Sequence, residues 1–174
     1  MSFGRTSFEP AQQGDLDGFC GIYAGYNFFC RKLNIKPDSK RGEKIFKRLL
    51  TLLDGQGKLT VHRICDGFGE GQLQKAFNKI AEKEELDLKV WKLSVYARKH
   101  KPTDVFELVA SLDSDEAAMI HMDKQRHWVL AHSGTAKQFT VDDSSREPEP
   151  QKFRSNDIKQ YGIKMKDGLV FLNV

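Results

Sequence analysis

The chain has 174 residues, of which 39% are apolar and 30% charged, which is typical of one globular domain over residues 1–174. No apolar run approaches the ~20 residues of a membrane span, and residues 1–5 lack the apolar core of a secretory signal, so we expect a cytoplasmic protein, with export without a cleaved signal as the alternative. The net charge is +4 and its basic pairs, such as Arg31-Lys32, are interpreted as solvated helix faces, so neither a membrane nor nucleic acid is an expected partner.

The first half of the chain predicts helices after an irregular lead-in over residues 1–17. Residues 19–30 are apolar nearly all round, which favours a buried central helix that runs to about residue 33. Apolar residues at helical spacing predict two further helices, over residues 39–53 and from about residue 73 to residue 85.

In the second half the apolar period changes to that of strands. Alternation over residues 86–96 predicts a strand, and a short helix is predicted around residues 104–112, with Thr103 or Asp104 near its start. Further strands are predicted at 117–122, 127–132 and 138–142, with a turn at 133–135, a polar loop around Pro148 and Pro150, and a final hairpin at 164–172 that turns at Asp167-Gly168. Helices followed by an antiparallel sheet indicate an α+β fold, with the N-terminal helices packed on the C-terminal sheet.

The three cysteines, Cys20, Cys30 and Cys65, are an odd number and form no CxxC pair. We therefore expect neither a disulfide scaffold nor a zinc site, and no cofactor. Cys20 follows Asp17-Gly18 at the predicted first turn of the central helix, where unpaired backbone N–H groups and the helix dipole favour an anion. The alternative interpretation is a small buried apolar residue, which fits Cys30 better because it lies deep in the apolar run.

His127 begins an apolar strand, a setting that holds the imidazole rigidly and near solvent, as a general base requires. His121 and His132 are rivals on neighbouring strand positions, and a plain turn histidine is the alternative interpretation. The following strand ends in Asp142 and Asp143, which alternate in direction, so only one of them can face His127. That carboxylate would fix the imidazole tautomer, or else the two acids simply cap a turn.

The order Gln13, Cys20-Gly21, Arg126-His127-Trp128, Asp142-Asp143-Ser144 resembles the papain-like cysteine peptidases. The similarity is greatest to the bacterial branch that includes the leader-peptide-cleaving domains of bacteriocin exporters. The resemblance implies a papain-like fold with a central helix led by the cysteine. The interval from Gln13 to Cys20 is one residue longer than is usual in the family.

Carried onto these positions, the resemblance implies Cys20 as nucleophile and His127 as general base. Gln13 and the backbone N–H of Cys20 would form the oxyanion hole, and Asp143 is favoured as the acid, with Asp142 as the alternative.

The predicted function is that of a cysteine-nucleophile hydrolase that cleaves a peptide or isopeptide bond of a protein or peptide substrate through a thioester acyl-enzyme. One alternative is a glutamine deamidase or transglutaminase-type effector or toxin on the same fold. An alternative of another class is a non-catalytic binding module with an inert thiol. The sequence defines no oligomeric state.

Overall fold

The computed structural model describes residues 19–55, 67–144 and 151–174. Six α-helices lie within these ranges: α1 (Cys20–Lys32), α2 (Lys40–Asp54), α3 (Glu70–Lys83), α4 (Leu93–His100), α5 (Val105–Ala110) and α6 (Ser155–Tyr161). A short 3-10 helix, Asp123–Gln125, lies between the second and third strands. The strands in the same ranges are β1 (Leu88–Lys92), β2 (Ala117–Met122), β3 (His127–Thr135), β4 (Gln138–Asp142), β5 (Gln151–Arg154) and β6 (Ile163–Asn173). They form one sheet in the order β1-β6-β2-β3-β4-β5, and every pair is antiparallel.

The sheet carries a layer of helices on each face. Met119 and Leu130 point into a core shared with α1, α2 and α3. Ile120 and Val129, one position along the same strands, point into a second core with α4, α5 and α6. The predicted α+β class and the packing of the N-terminal helices on an antiparallel sheet are confirmed. No helix within the described ranges is both long and apolar enough to cross a membrane.

Helix α1 is the central helix that the sequence predicts, and ten of its thirteen residues are buried. Two glycines allow it to pack closely against its neighbours. A Cβ atom at Gly25 would lie 2.1 Å from Cζ of Phe77 on α3, and a Cβ atom at Gly21 would lie 3.1 Å from Cδ1 of Trp128 on β3. The absence of side chains at these two positions therefore fixes how deeply α1 sits between α3 and the sheet.

Two predictions for the strands are wrong. Residues 93–96 begin helix α4 instead of extending β1, and Leu93 and Tyr96, three positions apart, both pack into the second core. Residues 164–172 form no hairpin, because β6 runs straight through Asp167-Gly168. A Cβ atom at Gly168 would lie 2.6 Å from the backbone oxygen of Met119, so this glycine serves the close approach of β6 to β2 rather than a turn.

The region between β3 and β6 also departs from the prediction. Residues 133–135, expected as a turn, continue β3, and the chain turns at residues 136–137. Within the expected polar loop, residues 151–161 form β5 and α6, while Pro148 and Pro150 lie outside the described residues. Phe153 and Tyr161 stack at a ring-centroid distance of 5.2 Å, and their burial in the second core accounts for this ordered segment.

The outer edge of β1 is covered by a side chain of α3. The amide of Asn78 accepts a hydrogen bond from the backbone N–H of Val90 at 2.9 Å and donates one to its carbonyl at 3.0 Å. Gln74 donates a second hydrogen bond to the same carbonyl at 3.0 Å. The N–H and C=O groups of Val90, which point away from β6, therefore have hydrogen-bond partners within the fold.

Candidate active site

Cys20 is the first residue of α1, as the sequence predicts, and its side chain is buried. The N-cap residue is Phe19, whose side chain has no oxygen to accept from the helix N–H groups, and the first turn contains no acidic residue. The first intrahelical hydrogen bond runs from the N–H of Tyr23 to the carbonyl of Phe19 at 2.9 Å. The positive end of the helix dipole therefore acts on the position of the thiol, and no carboxylate among the residues of the first turn offsets it.

His127, the first residue of β3, contacts Asp143 through one ring nitrogen. Nε2 lies 2.7 Å from Oδ1 of Asp143, in a buried setting. The imidazole also forms a hydrogen bond with the thiol of Cys20. Because Nε2 is engaged by Asp143, Nδ1 is the nitrogen that is left for the sulfur. Cys20, His127 and Asp143 thus form one connected chain of contacts.

The charge state of His127 follows from these contacts. Burial by itself would lower the pKa of this imidazole, but the hydrogen bonds to Asp143 and Cys20 and their negative charges outweigh burial and raise the pKa of His127 to about 9. At neutral pH the ring is therefore an imidazolium that donates from both nitrogens. Such a ring can hold a thiolate on one side while a carboxylate fixes its orientation on the other.

Asp142, the alternative acid, points to the opposite side of β4 and is bound elsewhere. Its two carboxylate oxygens accept hydrogen bonds from Nε and one terminal nitrogen of Arg31 on α1, at 2.7 and 2.8 Å. Nε2 of His132 lies 3.3 Å from the same carboxylate. Burial alone would raise the pKa of Asp142, but His132 and Arg31 outweigh it and hold that pKa below its usual range.

The rival histidines occupy other environments. The ring of His121 packs on Trp128 at a centroid distance of 4.7 Å, and burial lowers the pKa of His121. His132 lies against Asp142, as described. Cys30 is fully buried in α1, and burial raises the pKa of its thiol to about 12, which fits the inert interpretation given to it from the sequence.

Several sequence predictions fall on positions without a described structure. Gln13, the predicted side-chain donor of the oxyanion hole, lies outside the described residues, as does Cys65. Within the described ranges, no group of three or more His, Cys, Asp or Glu residues is arranged to hold a metal ion.

Arg31 is the residue near this site that sequence reasoning misplaced. It was interpreted as part of a solvated pair, but its side chain is only 10% exposed and forms the buried ion pair with Asp142. One signal was available. Arg31 follows Cys20 by eleven positions, about three helical turns, so both lie on the same side of a mostly apolar helix.

Comparison with known proteins supports the fold. No protein-family model and no curated protein matches the sequence. A solved structure described as a double glycine motif protease from an AMS/PCAT transporter in complex with the leader peptide is similar, with a TM-score of 0.53 and 12% identity, over 94% of this chain and 89% of that chain. At this identity the likeness concerns the fold, which is consistent with the papain-like fold of that protease.

Proposed function

We propose that this protein is a cysteine hydrolase that cleaves a peptide or isopeptide bond, with Cys20 as nucleophile, His127 as base and Asp143 as the acid that orients His127. The observation that carries the proposal is the connected contact from Cys20 through His127 to Asp143. A buried thiol at a helix start, an imidazolium and a carboxylate are the three groups that thiol catalysis requires. An inert binding module would have no need to keep His127 charged in a buried position.

The proposed reaction proceeds in two halves. The thiolate of Cys20 attacks the substrate carbonyl carbon, and the resulting oxyanion accepts a hydrogen bond from the backbone N–H of Cys20, with Gln13 as the proposed second donor. His127 gives its proton to the leaving nitrogen, the C–N bond breaks, and a thioester remains on Cys20. Neutral His127 then takes a proton from water, whose oxygen attacks the thioester, and the acid product leaves as the thiolate re-forms.

A protein or peptide is the proposed substrate. The similar protease was crystallised with a leader peptide, which supports a peptide as the substrate of this protein. The chemistry at Cys20 does not by itself distinguish a backbone amide from the side-chain amide of glutamine. A deamidase or transglutaminase would pass through the same thioester and differ only in the amide that is attacked and in the acceptor.

The test combines thiol labelling with product analysis. The folded protein is treated with iodoacetamide at neutral pH and the modified residues are mapped by mass spectrometry. We expect fast and selective modification of Cys20, lost in His127→Ala. The matched control is Cys30→Ala, which should leave the rate at Cys20 unchanged because Cys30 is buried and protonated.

Product analysis then assigns the reaction. The protein is incubated with a peptide library, with Cys20→Ala as the blank, and the products are read for new chain termini. New termini support peptidase activity, whereas deamidated or cross-linked glutamine with intact chains supports the alternative enzyme. Slow and equal labelling of Cys20 and Cys30 in the folded protein would contradict any catalytic role for Cys20.

A further inference from the structure

A buried ion pair joins helix α1 to the end of strand β4. The guanidinium of Arg31 binds both carboxylate oxygens of Asp142 at 2.7 and 2.8 Å. The side chain of Arg31 is 10% exposed and that of Asp142 is 0% exposed. Two-point binding by a planar guanidinium fixes the direction of the carboxylate as well as its position, which a single contact from lysine would not do.

This pair links two elements that each carry one group of the proposed catalytic site. Helix α1 begins at Cys20 and contains Arg31 near its last turn, on the same side of the helix and about 16 Å further along its axis. Strand β4 ends at Asp142, and the next residue is Asp143, which bonds to His127. The contacts therefore close a ring from Cys20 along α1 to Arg31, across to β4, and back through Asp143 and His127 to the thiol.

The register of β4 determines which acid meets His127. Neighbouring residues of an extended chain point to opposite sides, so Asp142 faces α1 while Asp143 faces His127. A slip by one residue would exchange them. The pairing of β4 with β3 is interrupted close to Asp142, because the register shifts between Ala131 and Ser133. A bulge of this kind disrupts the ladder locally, so it holds the end of β4 less firmly than regular pairing would.

We propose that Arg31 and Asp142 are positioning residues, which hold the end of β4 in the register that places Asp143 against His127. This inference rests on the proposed function of Cys20, His127 and Asp143. A purely stabilising role accounts for the pair less well, because replacing a buried ion pair by apolar residues of similar size is often neutral or favourable for stability. The geometry that the pair imposes on β4 explains the presence of this ion pair better.

The test replaces both members of the pair, so that neither Arg31 nor Asp142 is left as a buried charge without the other. The double variant Arg31→Met with Asp142→Leu keeps the volume, and its matched control is Lys32→Met with Asp115→Leu, which removes the neighbouring ion pair of α1, 2.6 Å long, without touching β4. The titration of the His127 imidazole is followed by NMR, with its signals assigned as those absent from His127→Ala. Asp143→Asn provides the value expected when the carboxylate partner is lost.

We expect the titration midpoint of His127 to fall by about one pH unit or more in the Arg31/Asp142 variant, towards that of Asp143→Asn, because the carboxylate no longer faces the ring. The Lys32/Asp115 variant should keep the wild-type midpoint. A folded Arg31/Asp142 variant with the wild-type midpoint would overturn the inference.

If that double variant does not fold, Arg31→Lys replaces it, since lysine keeps the charge but loses the two-point geometry. A lowered midpoint in Arg31→Lys supports the inference, and an unchanged midpoint contradicts it. Failure of the proposed function is read separately, in the wild-type protein: Cys20 would then be no more reactive than Cys30, whatever the midpoint of His127 in the variants.

Discussion

His127 holds its proton between two partners of different character. Asp143 is a buried carboxylate whose Oδ1 lies 2.7 Å from Nε2, whereas the second partner of the ring is the side-chain sulfur of Cys20. In the proposed reaction, the imidazolium of His127 would stabilise the thiolate of Cys20 and protonate the leaving group. Its raised pKa extends this state across the physiological pH range.

This charge state can be measured without a substrate. Iodoacetate carries a negative charge and is attracted by an imidazolium beside the thiolate, whereas iodoacetamide is neutral. We expect the rate of iodoacetate divided by the rate of iodoacetamide at Cys20 to stay high at neutral pH. This ratio should fall as the pH passes about 9, the pKa of His127. A ratio that does not change from pH 7 to pH 10 would show that the imidazolium is not next to the thiolate.

At the scale of elements, the packing of α1 depends on a glycine. A Cβ atom at Gly25 would lie 2.1 Å from Cζ of Phe77, a ring that is itself fully buried. We expect Gly25→Ala to destabilise the fold by about 1–3 kcal/mol, because Phe77 or the helix must move. Denaturant unfolding measures this difference.

The matched control is Gly71→Ala on α3, where the new Cβ atom would meet only the end of the Lys92 side chain at 3.8 Å. This variant should be neutral or stabilising by about 0.4–1 kcal/mol, since alanine reduces the freedom of the unfolded chain. Equal losses in both variants would mean that the contact with Phe77 does not limit the position of α1.

Elements with a clear period were predictable from sequence, whereas those determined by a distant partner were not. The buried helix led by Cys20 follows from an apolar run after Asp17-Gly18. Asp167-Gly168 has the local signature of a hairpin turn, yet pairing of β6 with both β1 and β2 keeps the strand extended. At this position the hydrogen bonds to two neighbouring strands outweigh the local preference of Asp-Gly for a turn.

At the scale of the whole molecule, His127 links stability to pH. Folding raises its pKa from 6.5 to about 9, so the folded state binds the proton more tightly than the unfolded chain. The stabilisation is complete below pH 6.5 and is lost as the pH rises through about 9. It amounts to at most about 3 kcal/mol.

Urea unfolding of wild type and His127→Gln between pH 6 and pH 10 isolates this contribution. We expect the difference in unfolding free energy between the two proteins to shrink by that amount as the pH rises. A difference that stays constant over this range would mean that His127 binds its proton equally well in the folded and unfolded chains.

The assembly of the candidate site could be predicted in part. Strand alternation showed that only one of Asp142 and Asp143 could face His127, but not which one. The proposed determinant of this choice is the contact between Arg31 and Asp142, which are 111 positions apart, and no local sequence pattern predicts such a pairing. The adjacent charges of Arg31 and Lys32 were interpreted as part of a solvated helix face, because the sequence gives no direct measure of burial.

The side-chain amide of Asn78 also affects how the molecule meets its own copies. Presented to Val90 as donor and acceptor together, it imitates the peptide group of one more strand. A strand of another molecule that adds beside β1 must first displace the side chain of Asn78 and break its two hydrogen bonds to Val90. Asn78, together with Gln74 of the same helix, thereby opposes growth of the sheet into a fibril or a domain-swapped chain on this side.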